Sequence, residues 1–366
     1  MGGHRGGRAV MTRILVLLGT SKGAFFLESD AAREDWVLHG PFCEATDLNH
    51  VKGDPSTGAI YAAGGNPWFG LDIWKTSDLG SSWTKSAEGL SLPGEEALDS
   101  VWSLGIGEGR IYAGTRPAAL FESRDGGETW HHLEGLQAHP SRPEWPPGGA
   151  GLTLHHIVTD PANPERLWVG ISSAGTFYSE DGGVSWRTRN SGIKVVGWEK
   201  GDVTYPEFGN CVHGLALGPG GTMYQQGHQG MYRSDDLGAE WQDISAGLPS
   251  TFGFPVVAHP HDPETAWFFP MNGDIKGRHC PDGKAAVWRT RDGGRSWEDL
   301  REGLPQEHCY FTVLRQAMAG DGLDEVGIYF GTNSGSVYAS RDGGARWSCL
   351  RRDLPMIRSV ETMILA

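Results

Sequence analysis

The sequence has little of what marks membrane, nucleic-acid-binding or disulfide-rich proteins. It carries 45 Asp and Glu against 31 Lys and Arg, a formal net charge of −14. It therefore lacks the positive field that nucleic acid or an anionic membrane surface requires. The apolar run at residues 14–18 is too short for a membrane span or a signal peptide and indicates a strand. Its 5 cysteines, odd in number and without CxxC spacing, predict reduced thiols in the cytoplasm.

Turn residues and tryptophan are what the sequence has in quantity. Its 366 residues include 55 glycines, 21 prolines and 15 tryptophans. With many short apolar runs, this composition predicts an all-β protein rich in turns. Residues 1–11 are expected to form a disordered leader, and residues 12–366 a single domain.

A short pattern, Ser/Thr-x-Asp-x-Gly-x-x-Trp, occurs six times along the chain. Its copies end at Trp83, Trp130, Trp186, Trp241, Trp297 and Trp347. A decayed seventh copy keeps Ser29 and Trp36. Successive tryptophans lie 47 to 56 residues apart, which is the length of one four-stranded propeller blade with its connection.

The residues of this repeat suit a tight turn. Aspartate can accept hydrogen bonds from backbone N–H groups of the turn, glycine adopts positive φ, and tryptophan buries a large ring between sheets. Six copies of one catalytic group would be unusual, so the repeat is interpreted as structural. In this repeat the chain resembles the BNR/Asp-box propellers, a superfamily that includes sialidases and photosystem assembly factors. The resemblance implies a β-propeller and leaves the activity open.

The two ends of the chain complete one another. The final stretch, SVETMILA, holds one strand, and residues 13–36 hold the three strands that such a unit lacks. Pairing them makes a seventh blade and removes exposed sheet edges. The sequence therefore predicts a single seven-bladed propeller, closed by its C-terminal strand.

Three insertions, residues 137–151, 192–210 and 271–285, fall in connections on the face opposite the Asp-box turns. Loops longer than a connection needs are usually functional. We therefore expect a ligand on this loop-rich face, with Tyr205 and Glu207 as substrate-binding residues. Trp198 lies in the same insertion.

A ring of inner-strand residues is predicted around the axis. His50, His156 and His213 each precede a glycine at the end of the next strand by fourteen residues, which predicts three imidazoles at one depth. Further members of the ring are Trp102, Phe254 or Pro255, Arg315 and Glu361. Neighbouring loops add Lys22, Arg116 and His228 at the rim.

Three imidazoles and a carboxylate are the ligand set of a divalent transition metal such as zinc, iron, manganese or copper. In this interpretation His50, His156 and His213 bind the metal, and Glu361 is a ligand or a general base. Arg315 and Lys22 hold an anionic group, and Trp102, Arg116 and His228 contact the substrate. A metal-free pocket for a small molecule and a water-filled channel are the alternatives.

Three functions follow from this site. The first is a metal-assisted enzyme acting on a small anionic or polar molecule. The second is a metal-free glycoside hydrolase of sialidase type, although the resemblance there implies six blades and an arginine triad that this sequence does not clearly offer. The third is a non-catalytic platform for a protein partner.

Overall fold

The computed structural model describes residues 12–66, 70–94, 97–149, 151–197 and 201–365. The predicted leader, residues 1–11, and Trp198 lie outside these ranges. The described residues form 30 strands, which in chain order are β1 Arg13–Thr20, β2 Gly23–Asp30, β3 Val37–Phe42, β4 Leu48–Gly53, β5 Ile60–Asn66, β6 Gly70–Thr76, β7 Thr84–Ser86, β8 Ser100–Gly107, β9 Arg110–Arg116, β10 Leu120–Ser123, β11 His131–His132, β12 Leu154–Asp160, β13 Asn163–Ile171, β14 Gly175–Ser179, β15 Arg187–Thr188, β16 Val195–Val196, β17 Val203–Thr204, β18 Val212–Leu217, β19 Met223–Gly227, β20 Met231–Ser234, β21 Gln242–Asp243, β22 Gly253–Ala258, β23 Ala266–Pro270, β24 Val287–Thr290, β25 Glu298–Leu300, β26 Met318–Gly320, β27 Ile328–Gly331, β28 Val337–Ser340, β29 Ser348–Arg351 and β30 Ile357–Leu365.

Short 3-10 turns complete the secondary structure. They are Cys43–Ala45, Arg142–Glu144, Pro219–Gly221, Asp274–Lys276 and Pro281–Gly283. None of the helices within the described ranges has the length and apolar character needed to cross a membrane.

Seven four-stranded antiparallel sheets form the blades of a propeller. Blades one to six are β4–β7, β8–β11, β12–β15, β18–β21, β22–β25 and β26–β29. Their inner strands are β4, β8, β12, β18, β22 and β26, and each contacts the inner strand of the next blade. The pair β16–β17 is a separate hairpin in the insertion after blade three.

Blade seven joins the two ends of the chain, as predicted. Its strand order is β3-β2-β1-β30, with β30 innermost. The register pairs Leu17 with Glu361 and Arg13 with Leu365. Because β30 also contacts β4 of blade one, the ring is closed, and the all-β, seven-bladed prediction is confirmed.

The Asp boxes are tight turns held by their own side chains. In the second copy, Ser123 Oγ donates to Asp125 Oδ1 at 2.8 Å and accepts from the Gly127 N–H at 2.8 Å. Asp125 Oδ1 also accepts from the Thr129 N–H at 3.0 Å. Gly127 has φ +90°, a conformation that favours glycine. Hydrogen bonds from the hydroxyl and backbone of Ser82 likewise lower the pKa of Asp78 to about 2.

In blades four and five the tryptophan of the Asp box forms a hydrogen bond to the preceding blade. Trp241 of blade four is 3% exposed, and its Nε1 donates to the Arg189 carbonyl after blade three at 2.9 Å. Trp297 of blade five repeats this contact with the carbonyl of Ile244 at 3.0 Å. The repeat is therefore part of the packing between blades, as its sequence predicts.

Candidate functional site

Six of the inner strands carry a β-bulge near the start of their ladder, close to the loop-rich face. A bulge places two residues opposite one and re-aims a side chain. The extra residues, blade by blade from one to five and then seven, are Asn49, Trp102, His155, His213, Phe254 with Pro255, and Arg358. These bulge residues occupy equivalent positions and therefore align the inner strands of the six blades with one another.

The three predicted imidazoles do not share one depth, so that prediction is wrong. Gly64 pairs with Leu48, before the bulge of blade one, whereas Gly170 pairs with His156, after the bulge of blade three. The glycine is therefore not a fixed reference for depth, whereas measured from the bulge His50 and His156 share one position. His213 occupies the bulge itself.

Glu361 also lies at a different distance from the bulge of its strand than His50 and His156 do. His50 and His156 each follow a bulge residue by one position, whereas Glu361 follows Arg358 by three. Glu361 therefore lies deeper along the axis, toward the Asp-box face. The prediction that Glu361 is level with His213 is wrong.

A segment of blade six crosses the axis. Its inner strand β26 has only three residues, and the preceding Gln316 reaches other blades. Gln316 Nε2 donates to the His155 carbonyl of blade three at 2.9 Å, and the Gln316 carbonyl accepts from the Val360 N–H of blade seven at 2.8 Å. Arg315 and Gln316 consequently line both a cavity toward the Asp-box face and a cavity toward the loop-rich face.

The Asp-box cavity has a volume of about 730 Å³ and extends to the turns at Pro161 and Pro260. The predicted axial residues that line it are His50, His156, Arg315 and Glu361. The sequence does bring these four side chains to one cavity. This cavity opens toward the Asp-box face, however, so the prediction that these four residues lie on the loop-rich face is wrong.

Glu361 is engaged by two neighbours in this cavity. Its Oε1 accepts from Lys52 Nζ at 2.9 Å and lies 3.0 Å from His50 Nε2. Burial opposes ionisation, but the Lys52 charge and the His50 hydrogen bond outweigh it and lower the pKa of Glu361 to about 2. A carboxylate with so low a pKa is a poor general base at neutral pH, which argues against the predicted catalytic role.

His50 has no lone pair to give to a metal. Its Nδ1 accepts from the Leu104 N–H at 2.9 Å, so the ring proton sits on Nε2, which donates to Glu361. A metal ligand needs one unprotonated ring nitrogen directed at the ion. With these hydrogen bonds in place, His50 does not present the lone pair that its predicted role as a metal ligand requires.

His156 is buried and packs against its neighbour. Its Nδ1 lies 2.8 Å from Nδ1 of His155, so one of the two carries the shared proton. Burial, followed by the charges of His50 and Arg315, lowers the pKa of His156 to about 3. The imidazole is neutral at neutral pH.

Among the described residues, one group of three metal-type side chains has its ligand atoms within 4.8 Å of one another, and it consists of Cys211, His213 and His228. It includes His213 but neither His50 nor His156. The predicted three-histidine metal set is therefore not assembled.

A second cavity of about 440 Å³, the arginine cavity, lies on the loop-rich side of Gln316. Its lining includes the predicted residues Trp102, Arg116 and Arg315. Asp47 and Arg358 also line the cavity, and Arg358 was not predicted. The signal for Arg358 was the string Ile357-Arg358-Ser359, which matches Val101-Trp102-Ser103 at the bulge.

Ion pairs fix two of these guanidinium groups. Arg116 Nε donates to Asp99 Oδ1 at 2.8 Å, and its guanidinium lies 5.2 Å from the centre of the Trp102 ring. Arg358 donates from Nη2 to Asp47 Oδ2 at 2.9 Å and from Nη1 to Asn49 at 2.7 Å.

Asp47, the partner of Arg358, has a raised pKa. Burial raises its pKa, and the Arg358 charge and hydrogen bond offset only part of that rise. The site thus combines preorganised cations with a carboxyl group of elevated pKa.

The other predicted substrate residues lie elsewhere. His228 lines a third cavity of about 360 Å³, the insertion cavity, together with Gly148, Val196 and Cys211. As the described residues define these cavities, Lys22, Tyr205 and Glu207 line none of them. All three are exposed on the surface, and Glu207 accepts a hydrogen bond from Thr188 at 3.1 Å.

Comparison with known proteins agrees with this architecture. The BNR/Asp-box repeat model matches residues 121–132. A photosystem II assembly protein Ycf48 from Synechococcus sp. (strain JA-2-3B'a(2-13)) is 25% identical over 231 residues, covering 62% of this chain and 55% of the relative. An oligoxyloglucan-reducing end-specific xyloglucanase from Emericella nidulans is 23% identical over 230 residues, covering 52% of this chain and 26% of the relative. The chain thus spans about half the length of the first relative and about a quarter of the second.

Solved structures show the same fold. An ancestral GH74 enzyme superposes with a TM-score of 0.58 at 16% identity, covering 83% of this chain and 38% of that one. YCF48 bound to a D1 peptide superposes with a TM-score of 0.52 at 13% identity, covering 82% of this chain and 80% of that one. The repeat match and these solved structures agree with a seven-bladed β-propeller that contains a BNR/Asp-box repeat.

Proposed function

We propose that this protein is a binding propeller that holds a carboxylate group of an acidic peptide in the arginine cavity. The observation that carries the proposal is the gathering of Arg116, Arg315 and Arg358 around one cavity in a chain whose net charge is −14. Guanidinium groups bind carboxylates through paired, charge-assisted hydrogen bonds.

Two of the arginines are held by acidic side chains and remain partly exposed. Asp99 and Asp47 pair with Arg116 and Arg358. The side chains of Arg116 and Arg358 remain 32% and 26% exposed, so each keeps N–H groups within reach of a ligand. The acids thus hold these two arginines in place for a ligand.

The cavity also has an apolar wall. Trp102, Leu314 and Met356 line it beside the arginines. A pocket that joins a few directed polar groups to apolar side chains is typical of ligand sites. It suits a peptide that carries an apolar side chain next to its acidic group.

The loop-rich face supports a peptide rather than an isolated small acid. Six large hydrophobic residues of the described chain are strongly exposed, and four of them lie in connections on the loop-rich face. These four are Val203, Tyr205, Ile275 and Tyr310. Exposed apolar groups on the face that carries a polar pocket are typical of protein-binding surfaces. One structure of the YCF48 relatives holds a D1 peptide, which favours the same class of ligand here.

The test is an array of acidic peptides, each paired with a neutral version in which Asp and Glu become Asn and Gln and the C terminus is amidated. We expect the acidic members to bind, and Arg358→Gln to weaken binding by at least about tenfold through loss of a charged hydrogen bond. Arg187→Gln, which removes an exposed arginine of blade three, is the matched control. Equal binding of neutral peptides, or unchanged binding by the Arg358 variant, contradicts the proposal.

A glycoside hydrolase is the second candidate, because Asp47 and Asp99 meet the arginines of the same cavity. A glycosidase needs two carboxyl groups, and the acid of the pair has a raised pKa, as Asp47 does. The relatives named as xyloglucanases suggest xyloglucan oligosaccharides as the substrate to test. Release of reducing sugar that Asp47→Asn and Asp99→Asn both abolish supports this candidate, and no release by the unaltered protein rejects it.

A further inference from the structure

Blade four brings a thiol and two imidazoles together at the end of one strand pair. The ligand atoms of Cys211, His213 and His228 lie within 4.8 Å of one another. Val212 pairs with Gly227, and the His228 N–H donates to the Cys211 carbonyl at 3.1 Å. Backbone hydrogen bonds of the ladder therefore fix the spacing of the three side chains.

His213 is oriented as metal-binding histidines are. Its Nδ1 lies 2.7 Å from the Gly253 carbonyl of blade five. Because a carbonyl oxygen only accepts, Nδ1 carries the proton and Nε2 keeps a lone pair. A histidine that ligates a metal usually donates its other ring N–H to such a carbonyl, which fixes its tautomer and orientation.

An apolar shell encloses one side of the group. The Phe252 ring centre lies 5.2 Å from those of both His213 and His228, and the Phe254 ring centre lies 4.8 Å from that of His213. His213 is only 2% exposed. Such a shell limits access of water and strengthens the binding of an ion to its ligands.

We propose that Cys211, His213 and His228 form a site for a zinc(II) ion. Thiolate and imidazole are the ligands zinc prefers, and three protein ligands leave its fourth position for water or a substrate. Cys211 and His228 both line the insertion cavity of about 360 Å³, beside Asn210 and Tyr232. A molecule bound in that cavity would reach the ion. On binding, the Cys211 thiol transfers its proton to solvent and its sulfur forms the bond to zinc.

This site differs from the histidine ring that the sequence suggests, since the two share only His213. It is also independent of the arginine cavity, whose lining residues include none of the three ligands. Failure of one proposal therefore leaves the other standing.

Cobalt(II) is the probe, because it takes the place of zinc and absorbs light when bound to thiolate. Purified protein is treated with a chelator and titrated with cobalt(II), and zinc(II) is then added in competition. We expect one equivalent of cobalt per chain, a thiolate-to-cobalt charge-transfer band, and displacement by zinc. The result that overturns the proposal is absence of this band from the unaltered protein.

Variants assign the band to these residues. Cys211→Ser should remove the charge-transfer band, and His228→Gln should weaken cobalt binding by at least about tenfold. Because His228 lies at a partly exposed strand end, its variant gives a readout even if the Cys211 variant does not fold. Cys349→Ser and His261→Gln, which alter a cysteine and a histidine elsewhere, are the matched controls. A band that persists in Cys211→Ser, or equal cobalt binding by His228→Gln, also overturns the proposal.

Discussion

Gln316 Nε2 donates a hydrogen bond of 2.9 Å to the carbonyl of His155, from blade six to blade three across the propeller axis. The same residue accepts from the Val360 N–H of blade seven at 2.8 Å. One side chain and its backbone thus connect three blades at the centre of the ring. This contact separates the Asp-box cavity from the arginine cavity.

The first prediction concerns this contact. Gln316→Ala leaves the His155 carbonyl without its donor, and loss of a partly buried hydrogen bond should lower the free energy of unfolding by about 1–3 kcal/mol. Urea denaturation measures the change. Gln242→Ala, at an exposed position of β21, is the control and should change stability by less than about 0.5 kcal/mol. Equal stability of the Gln316 variant and the unaltered protein would show that the axial crossing is not a stabilising contact.

The second prediction is the pH dependence of stability. The pKa of His156 is about 3 in the folded protein against an ordinary value of 6.5, so between these values the unfolded chain binds more protons than the folded one. Stability therefore falls as the pH drops from about 6.5 toward 3, by up to about 1.4 kcal/mol per pH unit from this group. Denaturation midpoints from pH 7 to pH 4 should fall less steeply for His156→Gln. The exposed His261→Gln should keep the slope of the unaltered protein, and an equal slope for His156→Gln contradicts the prediction.

The third prediction concerns Glu361. Its pKa is lowered by Lys52 and His50, whereas the pKa of His156 is lowered mainly by burial. The pKa of Glu361 is about 2 in the folded protein against an ordinary value of 4.5, so its ion pair stabilises the fold above about pH 4.5, and that contribution is lost as the pH falls toward 2. Glu361→Gln should lower the free energy of unfolding at pH 7 by about 2 kcal/mol, the scale of a charged hydrogen bond. The deficit should shrink as the pH approaches 2. A deficit that stays constant with pH would show that the ion pair with Lys52 is not its source.

The fourth prediction is that ligand binding in the arginine cavity depends on salt. The guanidinium groups of Arg116 and Arg358 are partly exposed, so their attraction for a carboxylate is screened at high ionic strength. The dissociation constant of an acidic peptide should rise as sodium chloride increases from 50 mM to 500 mM, on the order of tenfold. Titration calorimetry measures it, and an affinity independent of salt would indicate a mainly apolar contact.

The architecture was predictable because local rules dictate it. Each Asp box carries its own hydrogen-bonding groups, so the pattern around Asp125 identifies the turn without knowledge of the rest of the chain. The missing strands at the two ends likewise required one pairing, that of β1 with β30. Such features depend on near neighbours in the sequence or on closure of the ring.

The site was harder to predict because it depends on register. A one-residue bulge shifts every later side chain to the other side of its strand, and the positions of the bulges are set by contacts between blades. This is why His213 was aligned with His50, and why Arg358 was missed. The crossing of the axis by Gln316 depends on contacts between residues more than 150 positions apart, which no local pattern records.

The most direct test of the proposed function is a crystal structure with the tightest-binding acidic peptide from the array. The proposal predicts a carboxylate of the peptide within hydrogen-bonding distance of Arg116 and Arg358, with an apolar side chain against Trp102. A peptide bound in the Asp-box cavity, or a carboxylate that contacts none of the three arginines, would contradict it.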